Sequence, residues 1–200
     1  MASSDDIIRA LLPVAESLDR IGIPYMICGS VASSVLGVAR ATLDVDLVAE
    51  MRLSHVDRFA LDLAADYYLD EDMIREAIRQ SCSFNVIHLP TMMKVDVFVL
   101  KQTAYDRTAF GRARLVELDE EEGRMFSMAS PEDVILHKLL WFQMGEEVAT
   151  RQWRDVLGVL RIQVGQLDWS YLRHWAEDIG VLGLLERARS AGSEPGVEQG

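Results

Sequence analysis

The sequence predicts an α/β core followed by a C-terminal helical subdomain. Two observations favour this organisation: short segments with the two-residue period of β-strands alternate with helical segments up to Met128, and helical patterns alone follow Ser130. Half of the 200 residues are hydrophobic, which is enough for a large core and excludes a wholly disordered chain. We expect the core at 1–128, the helical subdomain at 129–189 and a disordered tail, rich in Gly, Ser, Pro and Glu, at 190–200.

The N-terminal part of the core begins with a helix and a buried strand. A helix is predicted from Ser3 or Ser4 to about Leu18, because its apolar residues share one face. The apolar segment Tyr25–Cys28 predicts a short strand, and a tight turn at Gly29-Ser30 leads from it into a helix at 31–36. This region therefore has the order strand, turn, helix.

The next strand, predicted at 42–48, carries two acidic residues on one face. Apolar residues alternate with Asp44 and Asp46, so both aspartates point the same way. A third aspartate, Asp96, lies in a later strand at 94–100. Aspartate is disfavoured in strands, so three of them in Val- and Leu-rich segments call for a functional explanation.

The remaining helices and strands are predicted from the hydrophobic period, the helix caps and the turn residues. Ser130-Pro131-Glu132-Asp133 has the N-cap, first-turn proline and acidic residues that begin a helix. The predicted helices and strands after residue 50 are helices at 54–66 and 72–80, a hairpin of strands at 84–89 and 94–100, strands at 112–118 and 124–128, and helices at 131–144, 150–163, 169–178 and 181–189.

Charge and cysteine content limit the function classes. Twenty basic against 32 acidic residues give a net charge of -12, which disfavours a surface that coats nucleic acid. Cys28 and Cys82 form no metal-binding or redox pair, which fits a reduced cytosol. The acidic N-terminus and the absence of an apolar run near ~18 residues predict a cytoplasmic protein with no membrane partner.

The three aspartates and the glycine turn predict a metal and phosphate site. Carboxylates at i and i+2 of a strand are ~6.6 Å apart along the chain, close enough to share an ion. Mg²⁺ prefers such oxygen ligands together with substrate phosphates. Gly29 allows the backbone to approach a ligand, and the Ser30 hydroxyl and the first helical amides can hold phosphate oxygens.

These blocks resemble the nucleotidyltransferase superfamily typified by DNA polymerase β. The matching residues are Cys28-Gly29-Ser30, Gly37, Arg40-Ala41-Thr42-Leu43-Asp44-Val45-Asp46-Leu47 and Lys94-Val95-Asp96-Val97. The resemblance implies an α+β fold, with a mixed β-sheet flanked by helices and followed by a helical subdomain. It also implies that Asp44, Asp46 and Asp96 are catalytic residues that bind Mg²⁺, as two ions, with Mn²⁺ as the alternative.

The second half of the chain is similar to the AbiEii-type nucleotidyltransferases of bacterial toxin-antitoxin systems. The matching residues are Pro131-Glu132-Asp133, Lys138, Arg151 and Asp155. This resemblance implies a toxin-antitoxin role, with an antitoxin protein as a possible partner.

The resemblance implies transfer of a nucleoside monophosphate from a nucleoside triphosphate to an acceptor hydroxyl, with release of pyrophosphate. We expect Gly29, Ser30, Thr42 and Lys138 to bind the nucleotide; Thr42 stands one residue before the position where this family often has serine. RNA, protein and small molecules remain open as acceptors. The alternatives are a catalytically inactive nucleotide-binding or toxin-antitoxin partner module and, less favoured, a metal-dependent glycosyltransferase.

Lys138 has a second interpretation. It falls in the apolar sector of its predicted helix, where an unpaired ammonium group is costly, so it needs an anionic partner. A nucleotide phosphate and a carboxylate such as Asp155 are equally compatible with the sequence. The i,i+4 spacing of Arg151 and Asp155 favours an ion pair within one helix.

Overall fold

The chain folds into two compact units. The computed structural model describes residues 4–42, 44–119, 123–145 and 149–193. The first unit contains the described residues of 1–31 and 41–129, and the second contains 32–40 and those from 130 onward. The second unit includes the segment 32–40, which the sequence analysis placed in the core, and the domain boundary near Met128 stays a prediction.

The first unit is built on a seven-stranded mixed sheet. Its strands are β1 (Tyr25–Cys28), β2 (Asp44–Ala49), β3 (Tyr67–Tyr68), β4 (Ser83–His88), β5 (Met93–Val99), β6 (Arg114–Asp119) and β7 (Arg124–Met128). They lie in the order β3-β4-β5-β2-β1-β7-β6. Strand β2 is parallel to β5 and antiparallel to β1, and β4 and β5 form the predicted antiparallel hairpin. The predicted α+β fold with a mixed sheet is confirmed.

Strands β2 and β5 lie in the middle of the sheet, and one side of each is apolar. Val45, Leu47, Val95 and Val97 are all fully buried. The intervening residues of both strands are only half-buried. One face of these strands thus packs on the core, and the other presents polar side chains.

Among the described residues, five helices have all or part of their length in the first unit. They are α1 (Ser4–Ile21), α2 (Gly29–Leu36), α3 (Val56–Leu63), α4 (Glu71–Gln80) and α5 (Ala104–Gly111), and a short 3₁₀ turn at Leu53–His55 precedes α3. Neither α5 nor the two-residue strand β3 was predicted. Helix α5 is short and buries only two apolar side chains, but Thr103 caps it by accepting a 3.0 Å hydrogen bond from the Asp106 amide.

In the part of the second unit that the structure describes, four further helices follow: α6 (Pro131–Met144), α7 (Ala149–Ile162), α8 (Trp169–Asp178) and α9 (Leu182–Ser193). Helix α6 begins as predicted, because the Ser130 hydroxyl accepts a 3.2 Å hydrogen bond from the Asp133 amide. Helix α9 continues through 190–193, which the sequence assigned to the tail, and the rest of that tail lies outside the described residues. Across the described helices, length and apolar content fall short of what a membrane span requires.

Candidate active site

Asp44 and Asp46 project from the same side of β2, as the sequence predicts. Both are half-buried, whereas the alternating Val45 and Leu47 are fully buried on the opposite side. Leu43 lies outside the described residues, so the strand is described from Asp44 onward. The two carboxylates therefore lie on the half-exposed face of a central strand.

Strand register brings Asp96 beside Asp46. In the parallel pair of β2 and β5, Asp46 stands opposite Asp96, and Asp44 stands opposite Lys94. Paired positions on adjacent strands are about 4.8 Å apart and point to the same face. The three predicted aspartates thus occupy one patch of the sheet.

Gly29 allows the chain to pass close to Asp46. It has a φ of +59°, and a Cβ at this position would lie 1.8 Å from Asp46 Oδ2. The Ser30 amide, at the start of α2, donates a 3.3 Å hydrogen bond to the same oxygen. A side chain at position 29 would displace the carboxylate, so only glycine fits the observed approach.

Thr42 fixes Asp44. Its hydroxyl is buried and lies 2.8 Å from Asp44 Oδ1 and 3.1 Å from the Asp44 carbonyl oxygen, both of which are acceptors. The single hydroxyl hydrogen can serve one of them at a time. The structure gives Thr42 an orienting contact with a predicted metal ligand, while its role in nucleotide binding stays a prediction.

Lys94 is part of the site, although the sequence analysis gave it no role. Its Nζ lies 2.7 Å from Asp96 Oδ2. The hydrogen bond with Asp96 raises the pKa of Lys94, and the negative charges of Asp96, Asp44 and Asp46 raise it further against the opposing effect of burial. The available signal was its position two residues before Asp96, on the same strand face.

The three aspartates are suitable ligands for a hard divalent cation, but their side chains do not converge on one point. Three carboxylates share one face, and oxygen donors are the ligands that Mg²⁺ prefers. In the described residues, however, no three acidic, histidine or cysteine side chains are close enough to hold a metal ion. Asp44 contacts Thr42, Asp46 contacts the Ser30 amide, and Asp96 contacts Lys94. Metal binding by all three aspartates requires side-chain rotation.

Lys138 lies in the second unit and is paired with Asp155. Its Nζ is 2.8 Å from Asp155 Oδ2, and the two side chains are only 5% and 4% exposed. Of the two sequence interpretations, the structure contains this ion pair; a phosphate contact of Lys138 stays a prediction. Burial raises the pKa of Asp155, but hydrogen bonds from Arg40 and Lys138 outweigh it and hold that pKa below its usual value.

Arg40 is the residue that the sequence analysis missed in this cluster. It binds Asp155 through two hydrogen bonds of 2.8 Å, and the Ser33 hydroxyl donates a third at 3.2 Å. The predicted Arg151–Asp155 pair does not form within the described part of the chain, since the carboxylate is taken up by the other partners. Arg40 is 115 positions away from Asp155, so helical spacing gave no signal for this contact.

Comparisons with known proteins agree with this geometry at the level of the fold. No protein-family model matches the sequence, and no curated protein sequence matches it. Among solved structures, the chain is similar to an antigenic nucleotidyltransferase-like protein from Paracoccidioides brasiliensis, with 18% identity, a TM-score of 0.54, and coverage of 93% of this chain and 94% of that chain. It is also similar to ANT(2″)-Ia in complex with adenylyl-2″-tobramycin, with 16% identity, a TM-score of 0.55, and coverage of 92% and 98%.

Sequence identity is low in both comparisons, but each alignment spans nearly the whole of both chains. The chain has the fold of the nucleotidyltransferase superfamily.

Proposed function

We propose that this protein is a Mg²⁺-dependent nucleotidyltransferase. It transfers a nucleoside monophosphate from a nucleoside triphosphate to an acceptor hydroxyl and releases pyrophosphate. The observation that carries the proposal is the register of β2 and β5, which sets Asp46 opposite Asp96 and leaves Asp44 on the same face. The fit of Gly29 against Asp46 supports it, because a glycine turn beside paired carboxylates suits a bound triphosphate.

Each residue of the site has its own role in the proposed reaction. Asp44 and Asp46, with Asp96, would hold Mg²⁺, which neutralises triphosphate charge and lowers the pKa of the acceptor hydroxyl. The Ser30 hydroxyl binds a phosphate oxygen at the start of α2, the Ser30 amide holds Asp46, and Thr42 keeps Asp44 oriented. Asp96 accepts the proton of the hydroxyl as its oxygen bonds to the α-phosphorus. The bond from the α-phosphorus to the bridging oxygen breaks, and pyrophosphate leaves.

The proposal also concerns the class of molecule that accepts the nucleotide. The net charge of -12 disfavours an acceptor that needs an extended basic surface, such as a long RNA. ANT(2″)-Ia was solved with an adenylylated tobramycin, so a hydroxylated small molecule is a supported acceptor class on this fold. A short RNA end, a protein hydroxyl and a toxin-antitoxin role with a cognate antitoxin rest on the resemblance to AbiEii-type enzymes.

Transfer of α-phosphate label tests the proposal. The protein is incubated with Mg²⁺, each of four α-labelled nucleoside triphosphates, and separate pools of tRNA, protein and aminoglycosides. We expect labelled product in one pool, reduced at least about a hundredfold by Asp44→Asn or Asp46→Asn, because each change removes a charged metal ligand. Asp178→Asn is the matched control, since Asp178 is exposed at the end of α8. Equal transfer by Asp46→Asn and the wild type would contradict the proposal.

A nucleotide-binding module without turnover is the second candidate. It is favoured by one observation: Asp96 is held by Lys94. This candidate predicts that nucleoside triphosphates raise the melting temperature while no pool becomes labelled. Labelled product that depends on Asp46 excludes it.

A further inference from the structure

Four side chains of β2 and β5 form what we call the acid-lysine patch: Asp44, Asp46, Lys94 and Asp96. Cross-strand pairing joins Asp44 to Lys94 and Asp46 to Asp96, so three corners are carboxylates and one is an ammonium group. The formal charge is three negative plus one positive, or -2. One divalent cation would balance this charge, whereas three carboxylates alone would carry -3.

Lys94 forms an ion pair with Asp96, one of the three proposed ligands of the cation. Its Nζ lies 2.7 Å from Asp96 Oδ2, and the side chains of Lys94 and Asp96 are 44% and 17% exposed. The half-exposed lysine has a flexible four-carbon stem, so its ammonium group can turn to a different anion without movement of the strand. Asp96 is more enclosed and can bind a cation fully only when this ion pair opens.

We propose that Lys94 is a positioning residue that competes with the divalent cation for Asp96 and releases Asp96 when triphosphate oxygens take its place. This inference rests on the proposed nucleotidyltransferase function. Before nucleotide binds, Lys94 weakens cation binding by charge repulsion and by occupying an Asp96 oxygen. After nucleotide binds, Lys94 contacts phosphate and Asp96 turns to the cation. Cation and nucleotide binding are then coupled, and the coupling is reciprocal.

Two binding measurements on Lys94→Met test this inference. Methionine keeps the length of the side chain without its charge. The first measurement is Mn²⁺ binding without nucleotide, by electron paramagnetic resonance at low ionic strength; we expect binding about tenfold tighter than in the wild type, because a repelling charge near the dication is removed. The second is binding of a fluorescent ATP analogue with a chelator and no metal, and we expect it to weaken at least about fivefold.

The control variants separate this role from a structural one. Lys101→Met removes an exposed lysine beyond the end of β5 and should leave both affinities unchanged. Lys94→Arg keeps the charge and should bind Mn²⁺ as weakly as the wild type. Thermal melts establish that each variant is folded. A merely structural role of Lys94 would weaken both kinds of binding, whereas competition moves them in opposite directions.

The outcomes distinguish the two proposals. If Lys94→Met binds Mn²⁺ no tighter than a wild type that binds Mn²⁺ and transfers label, the competition proposal fails and the proposed function stands. If the ATP analogue binds Lys94→Met as tightly as it binds the wild type, Lys94 does not move from Asp96 to a phosphate, and this part of the proposal is wrong. If neither the wild type nor Lys94→Met binds Mn²⁺ without nucleotide, the competition proposal fails, and the label-transfer assay decides the proposed function separately.

Discussion

Two charged clusters of this protein, one in each unit, have opposite compositions. The acid-lysine patch of the first unit has three carboxylates and one ammonium group on a half-exposed sheet face. The second unit contains a buried ion cluster of Ser33, Arg40, Lys138 and Asp155, with two cations around one carboxylate. One cluster has excess negative charge next to solvent, and the other surrounds its buried carboxylate with donors.

This difference separates a binding role from a structural one. Buried charges are tolerated only when they are paired and hydrogen-bonded, and Asp155 meets this condition with four hydrogen bonds from three side chains. The half-exposed aspartates of the patch remain hydrated in part, so an excess of negative charge is less costly there. Uncompensated charge at a solvent-accessible site is available for a ligand cation. The predictions below test this division.

Gly29→Ala should have the largest effect, and it should act on transfer. The new Cβ would lie 1.8 Å from Asp46 Oδ2, so the carboxylate must move. Displacement of a reacting group by about 1 Å can reduce a rate about a hundredfold, and we expect a loss of roughly 10²- to 10³-fold in labelled product. The positive φ of 59° adds about 1 kcal/mol of destabilisation, measured by urea denaturation.

Gly22→Ala is the matched control for backbone strain. Gly22 also has a positive φ, of 77°, but a Cβ there meets nothing within 4 Å. Its stability should fall by about 1 kcal/mol, as for Gly29→Ala, and transfer should continue at the wild-type rate. Comparable loss of transfer in both glycine variants would show that strain, and not the contact with Asp46, controls the activity.

Asp155→Asn should have the largest effect on stability. It removes the only carboxylate among the four residues of the buried ion cluster and leaves Lys138 uncompensated at 5% exposure. Breaking a buried pair in this way costs about 3 kcal/mol in the free energy of unfolding, which urea denaturation measures. Glu186→Gln is the control, because its pair with Arg173 is exposed and should contribute less than about 1 kcal/mol. Similar losses in both variants would contradict the distinction between buried and exposed pairs.

The stability difference between the wild type and Asp155→Asn should depend on pH. Since Arg40 and Lys138 hold the pKa of Asp155 below its ordinary value of 3.8, the native state favours the ionised form. This contribution is fully present above pH 3.8 and is lost as the pH falls through the lowered native pKa. Paired urea titrations should give a constant difference from pH 7 to 5 and a smaller one below 3.8. A difference that grows on acidification would contradict the assignment.

Local sequence patterns were sufficient to predict most of the helices and strands. The strand Tyr25–Cys28 and the helices at 131–144 and 169–178 have the predicted bounds, because apolar runs, caps and prolines act within a few residues. Helix α5 escaped prediction because its amphipathic pattern is weak over only eight residues. The grouping of 32–40 with the second unit depends on contacts such as Arg40 with Asp155, which are remote in sequence.

The candidate site shows the same limit. The two-residue period placed Asp44 and Asp46 on one face, but it does not define which strand lies beside β2. The pairing of Lys94 with Asp44, and of Asp96 with Asp46, requires the parallel register of β2 and β5. The Asp155 partners likewise come from α2, from the segment after α2 and from α6. The sequence analysis named the Lys138–Asp155 pair as one of two interpretations, but it gave no signal for the contacts of Asp155 with Ser33 and Arg40 or of Lys94 with Asp96.

Thr42→Val should have the smallest effect on label transfer. It tests how much the orientation of Asp44 contributes to the acid-lysine patch. Valine keeps the shape of the buried side chain but removes the hydroxyl that lies 2.8 Å from Asp44 Oδ1. A hydrogen bond to a charged group contributes about 1.5–3 kcal/mol when buried, and less for a half-exposed carboxylate; we therefore expect transfer to fall about five- to tenfold. Thr42→Ser keeps the hydroxyl and should transfer label nearly as fast as the wild type. A loss in the serine variant without a loss in the valine variant would assign the role of Thr42 to packing of its methyl group, because valine keeps that methyl and serine lacks it.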